Sequence, residues 1–282
     1  MSQIDSTYHT LPPKISIITI VRNGCEFIEQ TIKSVLCQRY DNIEYIVIDG
    51  GSTDSTIDII KSYESKIAKW ISEKDEGIAD AFNKGLSFVT GDYVLFLNSD
   101  DSLANPDVVE IMAHKIIENN FPTLIYGDYD ILDRSSSAFI YRGSIKFSSQ
   151  GMKHGKVLPH PCLFTHQSYF EKYGLFDTRF KIAMDYELLL RGGLKERVVH
   201  VPLLVTCVRD SGMSTLNHKH VVDEIILALK VNGYMSSKLA ECKMRGYFFM
   251  RSLLRSILER IGLYRTFFYM RNRLKASFRL QQ

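Results

Sequence analysis

No run of about 18 apolar residues occurs in the 282-residue chain, so the sequence offers no helix suited to crossing a bilayer. Cysteine is sparse and scattered: Cys25, Cys37, Cys162, Cys207 and Cys242 form no C-x-x-C pair, and no secretory apolar segment precedes them. That pattern argues against a disulfide framework and a zinc knuckle, and for reduced thiols in a cytoplasm. Net charge is almost absent, +3 from 35 basic and 32 acidic residues, and no nucleic-acid-binding motif accompanies it, so a nucleic-acid partner is not expected. What remains is 45% hydrophobic and 24% charged, enough to bury one large core or a domain with an appendage.

Residues 1–13 are polar and end in two prolines, a flexible lead-in. From Lys14 the run KISIITIV reads as a buried parallel strand that breaks at Asn23 and Gly24. Phe27, Ile28, Ile32, Val35 and Leu36 then recur at helical spacing. IEYIVID is a second strand ending at Asp49, and GGSTDST supplies a glycine turn and capping residues for the helix that follows. A short strand at Trp70–Ile71, the helix IADAFNKGLSFV and the strand in GDYVLFLNSDD continue the alternation. After Asn105 and Pro106 come a helix to about Glu118 and TLIYGDYDIL, which ends in acids at residues 127–130. This order predicts an α/β fold: a Rossmann-like, open, mostly parallel, doubly wound sheet with a site at the carboxyl ends of its strands. The segment RSSSAFIYRGSIKFSSQGMKHGK lacks periodicity and reads as a mobile loop over an acceptor.

Asp49, followed by Gly50 and Gly51, stands where an acid can accept hydrogen bonds from a base or ribose while glycines admit a ligand to the backbone. It would serve equally as a cap with Ser52 and Thr53. Asn98, Ser99, Asp100 and Asp101 follow the apolar YVLFL and suit either a hard divalent cation or a capped turn. A departing nucleoside diphosphate needs its charge neutralised, which Mg²⁺ or Mn²⁺ on one or two carboxylates accomplishes; Asp100 is the best ligand. The base for an acceptor hydroxyl should lie far away in sequence, and Asp185 in KIAMDYELLLR fits, alongside its plainer reading as a first-turn helix acid.

Taken in order, IITIVRN, IDGGSTDST, EKDEGIADAFNKG, GDYVLFLNSDD and AMDYELLLR resemble the glycosyltransferase family 2 pattern over about two thirds of the chain. The resemblance implies a GT-A catalytic domain over residues 14–215, with a nucleotide-sugar-binding half at 14–104 and an acceptor half at 105–215. It implies donor contacts, usually to a UDP-sugar, from Thr19, Val21, Arg22, Asn23, Asp49, Gly50, Ser52, Asp75, Gly77, Asp80, Asn83, Asn98 and Ser99. It further implies a metal on Asp100, Asp185 as catalytic base, and inversion at the anomeric carbon. Two positions depart from the pattern: Asn98 replaces the first acid of D-x-D, and Met184 replaces the acid that often precedes the base. His160, between prolines, and Arg209 with Ser211 are candidates to touch acceptor or diphosphate, set against a turn histidine in the first case. His218 and His220 lack carboxylate or cysteine company for a metal site.

Residues 216–282 read as a helical basic extension. From Glu241 onward ten basic residues meet two acids and alternate with Phe, Leu and Ile, the composition of a helix on an anionic membrane surface or of one packed on the domain. The function expected is sugar transfer from a nucleotide-sugar to a lipid-linked or surface-polysaccharide acceptor, by a peripheral protein on the inner face of the cytoplasmic membrane. A nucleotidyltransferase is the rival, disfavoured because IVRNGCEF makes a poor phosphate loop; a non-catalytic nucleotide-sugar binder is the other.

Overall fold

The structure, a computed structural model, describes residues 11–261 except 136, 145, 193 and 211–217. β1 (Ile15–Val21), β2 (Ile43–Asp49), β3 (Lys69–Ser72) and β4 (Tyr93–Phe96) are parallel, and α1 (Ile28–Leu36), α2 (Thr56–Ser62) and α3 (Ile78–Leu86) connect them. A two-residue β5 (Ser102–Leu103) and α4 (Val108–Glu118) lead into the second half of the sheet, with β6 (Leu124–Leu132), β7 (Phe139–Gly143), α5 (Ser149–Lys153), β8 (Leu163–His166), α6 (Ser168–Tyr173), α7 (Met184–Gly192) and β9 (Val198–Arg209). Two helices close the described chain, α8 (His218–Val231) and α9 (Lys238–Arg260).

The strands form one sheet in the order β3-β2-β1-β4-β8-β6-β9-β5, with β7 paired to β6. Because β1, β2 and β4 are apolar on both faces, the sheet is covered on both sides. Ile15 and Ile17 face a layer with Ile32, Val109 and Met112, while Ile18 faces the layer of Phe82 and Tyr186. Gly85 of α3 lets that helix lie on β1, since a Cβ there would sit 2.6 Å from Ile18 Cγ2.

One expectation is corrected. The stretch expected to be a mobile loop carries β7, which pairs with β6 from Tyr129↔Gly143 to Leu132↔Phe139. It also carries α5, whose start is fixed by the Ser148 hydroxyl accepting from Gly151 N at 3.0 Å and whose Met152 is buried. The first helix of the extension is built into the core, since Ile225, Ile226, Ala228 and Leu229 of α8 belong to the same buried cluster as Phe82 and Tyr186. α9 then packs through Met244 and Phe248. Tyr247, Phe249, Met250, Leu253, Leu254, Ile257 and, just past its end, Ile261 face solvent. No helix among the described residues is long and apolar enough to cross a membrane.

Candidate active site

Parallel pairing of β1 with β2 and β4 brings three strand ends to one edge, and the loops after them form a cradle. Gly50 N donates to Val21 O at 2.8 Å. Asn23, in the left-handed region at φ 51°, donates through its backbone to Ser52 Oγ at 2.7 Å and accepts from Thr53 N at 2.8 Å. Gly24 N reaches Thr56 Oγ1 at 2.9 Å.

Asp49 is wholly buried. Its carboxylate accepts from Gly51 N (3.1 Å), Ser52 N (3.0 Å), Ser72 Oγ (2.6 Å) and the Ser52 hydroxyl. Thr19 is equally buried, its Oγ1 taken by Tyr45 OH. These two side chains are thus taken up in holding the cradle: Asp49 ties the turn at 51–52 to Ser72 of β3 and caps no helix, since α2 begins at Thr56 with Ser55 at its N-cap. Asn83 is likewise a brace, exchanging two 2.9 Å bonds with the backbone of Phe176. The cradle's own surface comes from Arg22, exposed beside Gly50, and from half-buried Asp75, whose Oδ2 would stand 2.1 Å from a Cβ at Gly50. Asp75 is oriented by Gly77 N at 3.0 Å, and Asp80 holds the same turn through Glu76 N at 3.0 Å.

Past the end of β4, Asn98 faces the segment of His160 and Asp185. His160 lies between the two halves, its Nδ1 3.2 Å from Asp185 Oδ2 and its Nε2 3.3 Å from Asn98 Oδ1. Both ring nitrogens meet oxygens, and the tautomer decides which of the two donates. Asn98 Nδ2 in turn donates to Asp101 Oδ2 at 3.1 Å. Burial, with help from the neighbouring Asp100 charge, pushes the Asp101 carboxyl well above the usual range, against hydrogen bonds from Arg209 and Asn98. Asp185 lies in the first turn of α7, over an apolar floor of Phe96, Leu163, Phe170, Phe176, Leu188 and Leu189. Four polar residues from three parts of the chain thus form one line across the cleft.

Arg209 is buried and spoken for. Its guanidinium stacks 4.2 Å above the Phe27 ring and donates to Ser137 Oγ (2.8 Å) and Gln30 Oε1 (2.6 Å), stapling the end of β9 to α1 instead of pointing at a diphosphate. Ser211 lies outside the described residues. His220 is exposed on α8. Among the described residues no three His, Cys, Asp or Glu side chains gather into an all-protein metal cage. Half-buried Asp100 at the strand end fits the other way a divalent cation is held, by one carboxylate with diphosphate oxygens and water.

Sequence reasoning missed Glu224 of α8. Its Oε1 accepts from Lys181 N (2.9 Å) and its Oε2 from Ile182 N (2.9 Å) and Ala183 N (2.8 Å), just ahead of Asp185. No local signal marks it, since its partners are backbone groups some 40 positions away.

A mostly parallel α/β sheet with acids at its strand ends and a carboxylate facing them across a cleft is the GT-A architecture of sugar-transferring enzymes. The chain belongs to glycosyltransferase family 2: the family described as "Glycosyl transferase family 2" matches residues 16–174, and the chain is a glycosyltransferase. It is 38% identical to an uncharacterized glycosyltransferase of Mycobacterium tuberculosis over 71% of this chain and 74% of that one. The fold matches TarS of S. aureus with a TM-score of 0.61 and 18% identity, covering 84% of this chain and 43% of TarS. A TarS 1–349 structure in complex with UDP-GlcNAc gives 0.62 at 17% identity, covering 84% and 71%. The mannosyltransferase PcManGT of Pyrobaculum calidifontis, in complex with GDP-Man and Mn²⁺, gives 0.58 at 18% identity, covering 81% and 66%.

Proposed function

We propose that the chain moves a sugar from a nucleotide-sugar donor, a UDP-sugar, to a hydroxyl of a lipid-linked or surface-polysaccharide acceptor, with inversion. The observation that carries this reading is the placement of Asp185. It faces Asn98 through His160 and so lies against the strand ends where the donor's diphosphate belongs. The base and ribose lie over Gly50 and Gly51, bordered by Arg22 and Asp75. UDP-GlcNAc in TarS and GDP-Man in PcManGT, bound to the same fold, support a nucleotide-sugar as donor. Asp100 would hold Mg²⁺ or Mn²⁺, whose charge offsets that of the departing diphosphate. Asp185 takes the proton from the acceptor hydroxyl as its oxygen attacks the anomeric carbon from the side opposite the diphosphate, and one displacement inverts the centre. His160 keeps the Asp185 carboxylate turned toward the cleft. The exposed apolar face of α9, flanked by cations, supports a position on an anionic membrane surface, where a lipid-linked acceptor is found.

The test is transfer from UDP-sugars. Asp185→Asn should lower turnover about 10² to 10⁴-fold, the usual cost of losing a general base, with donor binding nearly intact. Asp100→Ala should weaken donor binding with Mn²⁺ or Mg²⁺ and change nothing in EDTA. Normal transfer by Asp185→Asn would remove the base assignment, and equal weakening of Asp100→Ala in EDTA would remove the metal role.

A further inference from the structure

We infer that Glu224, on a helix outside the expected catalytic domain, positions the catalytic base. This rests on Asp185 being that base.

Its carboxylate receives three backbone N–H groups in succession, from Lys181, Ile182 and Ala183, at 2.8–2.9 Å. These residues form the entry to α7, where amides without helical partners would otherwise need water. A helix entry is held elsewhere by a side chain of its own, as Ser148 holds α5; here the anchor comes from α8, whose Ile225, Ile226 and Leu229 are locked in the core. The entry is thus tied to a rigid element rather than to its own loop. Asp185, two residues past Ala183, inherits that fixed position.

The same segment reaches the donor side. Lys181 Nζ donates to Glu76 O at 2.9 Å, next to Gly77 and the turn that carries Asp75. Glu224 therefore sets the spacing between the base and the donor cradle, a distance on which displacement depends steeply: a misplacement of about 1 Å can cost about 10²-fold in rate. Neutral glutamine offers one carbonyl oxygen to three N–H groups and turns its own NH₂ toward one of them, so the clamp loosens without a cavity forming.

The experiment is steady-state transfer by Glu224→Gln and Glu224→Ala, alone and combined with Asp185→Asn. Glu224→Ala should lower kcat by about 10- to 100-fold with donor KM within about twofold. Glu224→Gln should fall between it and the native enzyme. In the Asp185→Asn background neither change should reduce residual turnover further, because a positioning residue has nothing left to position. A purely structural role would instead lower the active fraction and the melting temperature together and cut residual turnover in both backgrounds. That outcome, or native kcat in Glu224→Gln and in Glu224→Ala, overturns the inference; if Glu224→Ala does not fold, Glu224→Gln decides alone. Normal transfer by Asp185→Asn alone is separate: it removes the base and this role with it.

Discussion

Glu44 sits where the parallel strands begin, at the end of the sheet away from the cleft, and its carboxylate ties three of them together. It accepts from Ser16 Oγ of β1 (2.6 Å), from Thr90 N and Oγ1 ahead of β4 (2.8 and 2.5 Å), and from Lys14 Nζ (3.0 Å). Burial opposes its ionisation, but the donors outweigh burial and hold it at about 2. A carboxyl with a lower pKa in the folded than in the unfolded chain stabilises the fold fully above the unfolded value, and that stability drains away as the pH falls through the folded one. Its window here runs from about 4.3 down to about 2. Glu44→Gln should therefore cost about 1–3 kcal/mol at pH 7, and the gap to the native protein should narrow between those limits. Urea unfolding at pH 7, 4 and 3 measures it; a gap of equal size at pH 3 would mean that the negative charge is not the source.

Glycines at two ends of the sheet separate a site role from a fold role. A Cβ at Gly50 meets the Asp75 carboxylate, 2.1 Å from Oδ2, and that group can swing aside only by leaving the cradle. A Cβ at Gly91 meets backbone, 2.8 Å from Lys14 O and 2.9 Å from Ser16 N, which cannot yield without parting β1 from the start of β4. Gly50→Ala should raise the donor KM about tenfold or more, the loss of one well-placed hydrogen bond to a charged group, with little change in melting temperature. Gly91→Ala should cost about 1–3 kcal/mol of stability and spare the KM of the folded fraction. Exchange of these two results would reverse the assignment. The elements near Gly50 were legible in the sequence because β1, β2 and β4 are unbroken apolar runs and α1, α3 and α4 repeat at helical spacing. β9 was not. Its Pro202 interrupts a strand pattern, and the structure absorbs it in a register break in which Tyr126 pairs with His200 and Asp128 with Leu204. Only glycine suits position 127 opposite that break, since a Cβ would lie 2.6 Å from Leu203 O. β7 hid among serines and lysines because its order comes from pairing with β6. Asp185 and Asp100 were readable as acids at element ends, whereas the work of Glu224 and the stapling by Arg209 depend on partners that only the folded chain supplies.

For the whole molecule the deciding feature is the direction in which α9 faces. At about 3.6 residues per turn, Tyr247, Met250, Leu254, Ile257 and Ile261 fall on one line and Leu253 beside it, all turned outward, while Met244 and Phe248 face the body. The helix packs on the body through its narrow side, Met244 and Phe248, and leaves the wide apolar side in water. Arg251 and Arg260, both exposed, flank that face, and the further basic residues of 262–282 lie outside the described residues. An apolar stripe with cations on both edges suits a bilayer carrying anionic headgroups, which attract each nearby Lys or Arg by about 1 kcal/mol. The protein should therefore sediment with vesicles rich in phosphatidylglycerol at moderate salt and be released toward 1 M salt, where screening acts within about 3 Å. Met250→Glu with Leu254→Glu should abolish sedimentation and leave the melting temperature and the turnover on a soluble acceptor unchanged, because both side chains already stand in solvent, 61% and 50% exposed. If the native chain ignores such vesicles and instead forms a dimer that the double variant dissolves, the stripe is a contact between two copies and the membrane assignment falls.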